Sequence, residues 1–184
     1  KDGLEDYFIG GSSTFTGKLF IQTTNGFVEK KSPAFEADIK SEDSGAVFFD
    51  ADNDGDNDLY VVSGGYEFLL NDPALQDRLY INDGKGNFTK ALKGVLPVFL
   101  TSGSKVYAVD YDKDGKQDLL VLGRQVPGQY PSPATTYLLH NSSSGTQPKF
   151  EVSKKAPKEF KNLGMATSAV ITDFNNDKLD DIIR

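Results

Sequence analysis

A chain of 184 residues that is 38% hydrophobic can bury the core of one domain, and no run in it nears the ~20 apolar residues that cross a bilayer. It has no cysteine, which excludes disulfides, thiolate catalysis and thiolate metal sites, and its single histidine, His140, argues against a histidine-rich zinc site. The formal charge of -7 argues against a nucleic-acid partner, which would need lysine and arginine clusters.

In chain order, the sequence opens on Asp2-Gly3-Leu4-Glu5-Asp6, then "YFIGG", the strand "LFIQ", and an Asn25-Gly26 turn before Phe27. An apolar strand "AVFFD" leads into "DADNDGDND" (Asp50 to Asp58) and "DLYVVSGG" leaves it. Residues 66–77 have room for one helical turn, limited by Pro73. "LYIN" and a Gly84/Gly86 turn lead to Phe88. The order then repeats: "VYAVD", a loop from Asp110 to Asp118, "DLLVLG", a proline-rich surface connection, "LLHN", and Ser144-Gly145 before Phe150. A lysine-rich stretch over 149–161 reads as a solvated loop face. "AVITD" opens a third loop, Asp173 to Asp181, and "DDIIR" closes the sequence. No basic segment followed by an apolar one reads as a leader, which leaves export open.

Equivalent positions in successive copies lie 52, 60 and 63 residues apart. Each unit reads as about four short strands rich in Val, Ile, Leu, Tyr and Phe. "LYVV" and "LLVL" do not alternate, the pattern of strands covered on both faces. The expectation is an all-β chain of β-propeller blades, with repeat units at about 1–43, 44–103, 104–166 and 167–184, partial at both ends. A β-sandwich is the alternative. A calcium-binding β-roll has a much shorter repeat. The partial ends lead us to expect a piece of a larger propeller, or open ends that pair between chains.

The acid gathers in the loops instead of coating the surface. Calcium takes 6–8 oxygens at ~2.3–2.6 Å and tolerates irregular geometry. Side chains at positions 1, 3 and 5 of a curled loop converge, glycine at position 6 permits the reversal, position 7 offers a carbonyl, and position 9 another carboxylate. The first loop supplies Asp50, Asp52, Asp54, the Asp56 carbonyl and Asp58. The second supplies Asp110, Asp112, Asp114, the Lys116 carbonyl and Asp118. The third supplies Asp173, Asn175, Asp177, the position-7 residue Leu179, and Asp181. Position 12 is a strand valine, Val61 or Val121, in the first two loops, not the bidentate glutamate of an EF-hand, and magnesium demands a stricter octahedron. Acidic turns without an ion are the plain alternative, since Asp, Asn and Gly favour turns. The third loop is expected to be weaker or vacant, because Lys178 stands where the others have glycine. Asp180 has no evident role.

"DADNDGDNDLYV", "DYDKDGKQDLLV" and "LYINDGKGNF" resemble the FG-GAP/VCBS repeats of integrin α-chain propellers and of many bacterial secreted or surface proteins. The resemblance implies propeller blades with calcium in the loop joining the first two strands, at positions 1, 3, 5 and 9 of each copy. It also implies a secreted, periplasmic or cell-surface location.

Carboxylates repeated identically in each unit suit structure better than a catalytic pair with unlike roles. No nucleophile elbow, phosphate loop or zinc signature is present. His140 reads as a satisfied strand-edge histidine. Tyr60, Tyr80 and Tyr107 occupy repeat positions and read as packing. Tyr66, Phe68, Tyr130 and Tyr137 lie in or near the variable connections and are the candidates for a binding face. The expected function is a calcium-stabilised, noncatalytic module binding a protein or surface glycan. The alternatives are part of a polysaccharide-degrading hydrolase or lyase, and a purely structural segment of a surface protein.

Overall fold

The structure is a computed structural model and describes residues 3–183. Among the described residues thirteen strands form four antiparallel sheets in simple up-and-down order. The first sheet holds β1 (Tyr7–Ile9), β2 (Lys18–Thr23) and β3 (Gly26–Lys30). The second holds β4 (Glu42–Phe49), β5 (Asp58–Gly64), β6 (Arg78–Asn82) and β7 (Phe88–Lys90). The third repeats it with β8 (Ser102–Val109), β9 (Asp118–Gln125), β10 (Tyr137–Asn141) and β11 (Phe150–Val152). The last pairs β12 (Val170–Thr172) with β13 (Asp181–Ile183). The all-β reading holds, and the sheets are successive propeller blades.

The non-alternating apolar strands lie, as read, between two covering layers. Leu59 and Val61 of β5 face back to Leu19 and Phe35, while Tyr60 and Val62 face forward to Val106, Leu119 and Val121. On β9 the same alternation sends Leu119 and Val121 backward, and Leu120 and Leu122 forward to Ala166 and Ala169. Every core cluster therefore belongs to two blades. Tyr60 and Tyr80 are buried, and the Tyr107 hydroxyl accepts from Ala169 N at 2.9 Å, so the repeat-position tyrosines are packing residues. Tyr137 joins them: its ring stacks on Phe99 at 3.9 Å, which removes it from the candidate binding face.

Two short helical features escape periodicity because they are too brief to show any. They are α1 (Pro33–Glu36), which buries Phe35, and a 3-10 segment at Lys158–Asn162. The turn expected in 66–77 is a 3-10 turn, Pro73–Leu75, capped by Asp72 Oδ1 accepting from Ala74 N.

The two ends of the blades differ chemically. The first-to-second-strand loops and third-to-fourth-strand turns share one end. At the other, Asp43 pairs with Arg78 at 2.7 Å, both nearly buried, and accepts from Gly11 N of the preceding blade. Removing one partner of such a pair costs about 3–5 kcal/mol because the other charge is stranded. Innermost strands approach closely: Ser44 Oγ donates to Gly103 O, and Ser104 Oγ repeats the rung to Ala166 O. A Cβ on Gly45 would lie 2.7 Å from the Ser104 carbonyl oxygen.

Two outcomes follow from this packing. Gly45→Ala is expected to lose about 1–3 kcal/mol in denaturant unfolding, because the obstacle is backbone that must shift. The second concerns Asp77, which accepts from Tyr60 Oη and Ser63 N at 2.8 Å each. Burial pushes its carboxyl up to about 6, against the lowering by those hydrogen bonds. A folded value above the unfolded 3.8 adds stability at low pH that is lost as pH climbs through about 6. Between pH 5 and pH 8 the native chain should therefore lose about 1–2 kcal/mol more than Asp77→Asn does. Equal slopes in paired urea titrations would refute this.

Candidate cation loops

Each loop is a cradle of its own carboxylates and backbone N–H groups. Asp50 Oδ2 accepts from Gly55 N at 3.0 Å, and Asp54 Oδ1 from Asp56 N at 3.0 Å. The second loop repeats both bonds, Gly115 N to Asp110 Oδ2 and Lys116 N to Asp114 Oδ1. So does the third, Lys178 N to Asp173 Oδ2 and Leu179 N to Asp177 Oδ1. Position 4 is left-handed in all three, at Asn53, Lys113 and Asn176. Position 6 is as well: φ is 93° at Gly55, 88° at Gly115 and 70° at Lys178. Lys178 thus reproduces the glycine backbone with a side chain, a conformation that costs an L-residue roughly 1–2 kcal/mol.

Position 9 is the anchor, buried in the first two loops at Asp58 and Asp118. Asp58 Oδ2 accepts from Ala51 N at 2.9 Å and Oδ1 from Asn82 N at 2.8 Å, closing loop and third strand around one carboxylate. Asn141 N donates to Asp118 Oδ1, and Phe174 N to Asp181 Oδ2. In the opening partial copy Gln22 N donates to Asp6 Oδ1, so Asp6 does the same job; Asp2 lies outside the described residues.

The amide at the end of each third strand is a functional residue that the sequence reading passed over. Asn82 donates from Nδ2 to Asn57 O and accepts from Gly86 N. Asn141 donates to Gln117 O and to Ala51 O of the preceding blade, and accepts from Ser143 N. The signal was present in "LFIQ", "LYIN" and "LLHN", each ending on an amide.

Position 8 links loop to loop. Gln117 Oε1 accepts from Asp50 N, and Asp180, which had no evident role, pairs with Lys113 at 2.9 Å. At position 7 Lys116 Nζ donates to Ser143 O, while Asp56 Oδ2 lies beside Gly84 and its Oδ1 is buried without a hydrogen-bond partner.

Ligand atoms of Asp50, Asp52 and Asp58 fall within 4.8 Å of one another, as do those of Asp110, Asp112 and Asp118. Among the described residues, none of the clusters that could hold a metal includes Asp173, Asp177 or Asp181. There Asn175 Nδ2 donates to Asp177 Oδ2 at 3.0 Å. Asp50 Oδ1, Asp52 Oδ1, Asp112 Oδ1 and Asp118 Oδ2 are buried without a hydrogen-bond partner. Burial pushes Asp58 up to about 7, opposed by its two backbone hydrogen bonds. Burial also raises Asp52, with the neighbouring Asp54 and Asp50 charges adding to it, and raises Asp118. Buried carboxylates in mutual repulsion, with bare oxygens, have the donor chemistry of a hard-cation site.

His140 is not the satisfied strand-edge residue expected. Its Nδ1 is buried without a hydrogen bond, 3.3 Å from Asp118 Oδ1 and 3.6 Å from Asp112 Oδ2. Tyr66 and Tyr130 are exposed at the opposite end, and Phe68 is half-buried.

No curated protein matches the chain. A family model described as the FG-GAP-like repeat matches residues 64–121, from the end of β5 through the second loop into β9. The chain therefore carries an FG-GAP-like repeat of the FG-GAP/VCBS kind.

Proposed function

We propose that the chain is a noncatalytic β-propeller module, stabilised by calcium in its loops, that binds a protein or surface glycan outside the cytosol. The observation that carries the calcium reading is the set of bare, buried carboxylate oxygens at Asp50, Asp52, Asp112 and Asp118. In the first loop Asp50, Asp52, Asp54 and Asp58 would hold the ion with the Asp56 carbonyl. Asp110, Asp112, Asp114, Asp118 and the Lys116 carbonyl are the equivalents in the second. The third loop is weaker, with its amide and carboxylate engaged with each other and Lys178 at position 6. The ion's role is structural: it neutralises charge that folding desolvates.

The binding reading is supported by the face opposite the loops. A cleft of about 370 Å³ is lined there by Glu42, Tyr66, Ser102, Gly103, Arg124 and Gln125. Exposed Tyr66, Leu69, Leu70 and Tyr130 lie in the long connections of this face. Such connections carry specificity on a rigid frame. Among the described residues no helix is long and apolar enough to cross a membrane. Calcium sites of the extracellular type bind at ~10⁻⁴–10⁻³ M and fill only where the ion is abundant.

Calcium at a hundredfold excess over Kd is expected to stabilise by about 2.7 kcal/mol per site, read as a melting midpoint several degrees above that in chelator. Asp54→Ala should remove the first loop's share and Asp56→Ala much less, with the third loop filling last in a site-resolved titration. A midpoint indifferent to calcium, with metal confirmed absent beforehand, would sink the calcium reading. For the binding face, a glycan array and protein pull-down should show a ligand lost in Tyr66→Ala or Tyr130→Ala while the calcium response persists. Release of reducing sugar, abolished by replacing a non-repeated carboxylate, would defeat the noncatalytic reading.

A further inference from the structure

The cleft between the second and third blades, at the end away from the cation loops, is lined by side chains that break the repeat. Counting 60 residues from one blade to the next, Glu42 is answered by Ser102, Tyr66 by Val126 and Glu67 by Pro127, while Arg124 is answered by Gly64. Repeated positions build the frame, as the serine rungs do. Positions that differ can serve a single place, and Glu42, Tyr66 and Arg124 all line this one.

The two blades bring unlike groups to it. On the second, Glu67 Oε2 accepts from Tyr66 N at 2.8 Å, and Glu42 Oε2 lies 3.0 Å from where a Cβ on Gly65 would stand. Burial raises Glu42 above the usual carboxylate range, with the Glu67 charge and a hydrogen bond between the two carboxyls adding to it. A carboxyl pair that shares a proton both donates and accepts. The other carboxylate of the lining, Asp43, is already paired with Arg78 at 2.7 Å. On the third blade, Arg124 is exposed and makes no ion pair among the described residues.

Each group selects. A guanidinium fork matches a carboxylate with two parallel N–H bonds. A proton-sharing carboxyl pair suits hydroxyls, which need a donor and an acceptor together. The half-exposed Tyr66 ring offers an apolar platform with a polar tip. The volume of about 370 Å³ falls within the roughly 300–1,000 Å³ of small-ligand sites. A neutral sugar would leave the guanidinium unused, and a simple anion such as sulfate would set its charge against the carboxyls.

We infer that the cleft is a subsite for an acidic sugar of the hexuronate class, with its carboxylate on Arg124, its hydroxyls on Glu42 and its ring against Tyr66. The inference rests on the reading of this face as the binding face, and narrows its ligand to acidic glycans.

The methyl glycosides of galacturonate and galactose differ only at C6, carboxylate against hydroxymethyl, as do those of glucuronate and glucose. Titrated into the full chain and followed at the Arg124 side-chain Nε–H resonance, one uronate should bind roughly tenfold more tightly than its neutral counterpart. The advantage should shrink as salt rises. Arg124→Gln, made at an exposed side chain, should bring that uronate down to the affinity of the neutral sugar with the melting midpoint unchanged, and Glu42→Gln should weaken both. No uronate preference in either pair, or a preference that survives Arg124→Gln, overturns the inference. A protein or neutral glycan lost in Tyr66→Ala, without any uronate preference, defeats the acidic-sugar assignment alone. No ligand sensitive to Tyr66→Ala strikes the reading of the binding face itself.

Discussion

The buried aspartates that begin the second strands of the two complete blades, Asp58 and Asp118, are the constraint on which the structure turns. Asp58 lies where the loop returns to the sheet, and its two oxygens take backbone N–H groups from opposite directions, Ala51 within the loop and Asn82 on the next strand. A carboxylate of 1% exposure would be costly as a bare charge. It is held because each N–H would otherwise lack a partner. Asp50 and Asp52 place ligand atoms within 4.8 Å of it, the crowding on which the proposed cation site rests.

The same logic propagates sideways. The Ala51 carbonyl is gripped by Asn141 and Ser143 of the following blade, and position 8 of each later loop reaches back to the loop before it. At the far end Asp43, paired with Arg78 of its own blade, accepts from Gly11 N of the blade before, and the serine rungs close the joint near the inner strands. Each of these links crosses between blades. Exposed pairs such as Lys113–Asp180 add little individually. The buried ones tie one sheet to the next.

What could be read from the sequence followed from how locally each feature is encoded. The apolar runs of β5 and β9 announced two covered faces, because alternation fails only when neither face meets water. The loops were legible since 1-3-5-9 spacing is a purely local pattern. The terminal amides of the third strands were not, because Asn82 and Asn141 resemble ordinary turn residues until the strand pairing brings them against Asp58 and Asp118. Lys113 and Lys178 gave no sign of their left-handed backbone, since the loop's hydrogen bonds impose it against intrinsic preference. Tyr137 looked like a loop aromatic because its partner, Phe99, comes from a different connection. His140 was misjudged because its neighbours Asp112 and Asp118 are more than twenty residues away and meet it only through the β9–β10 register.

The core clusters are held jointly, with Tyr60 and Val62 facing one neighbour and Leu59 and Val61 the other. No sheet here owns a hydrophobic interior. A residue on β5 is therefore answerable to the blade behind or the blade ahead according to the parity of its position. The smallest piece with a complete apolar interior is thus the joint between two blades, running from the forward face of one sheet to the backward face of the next.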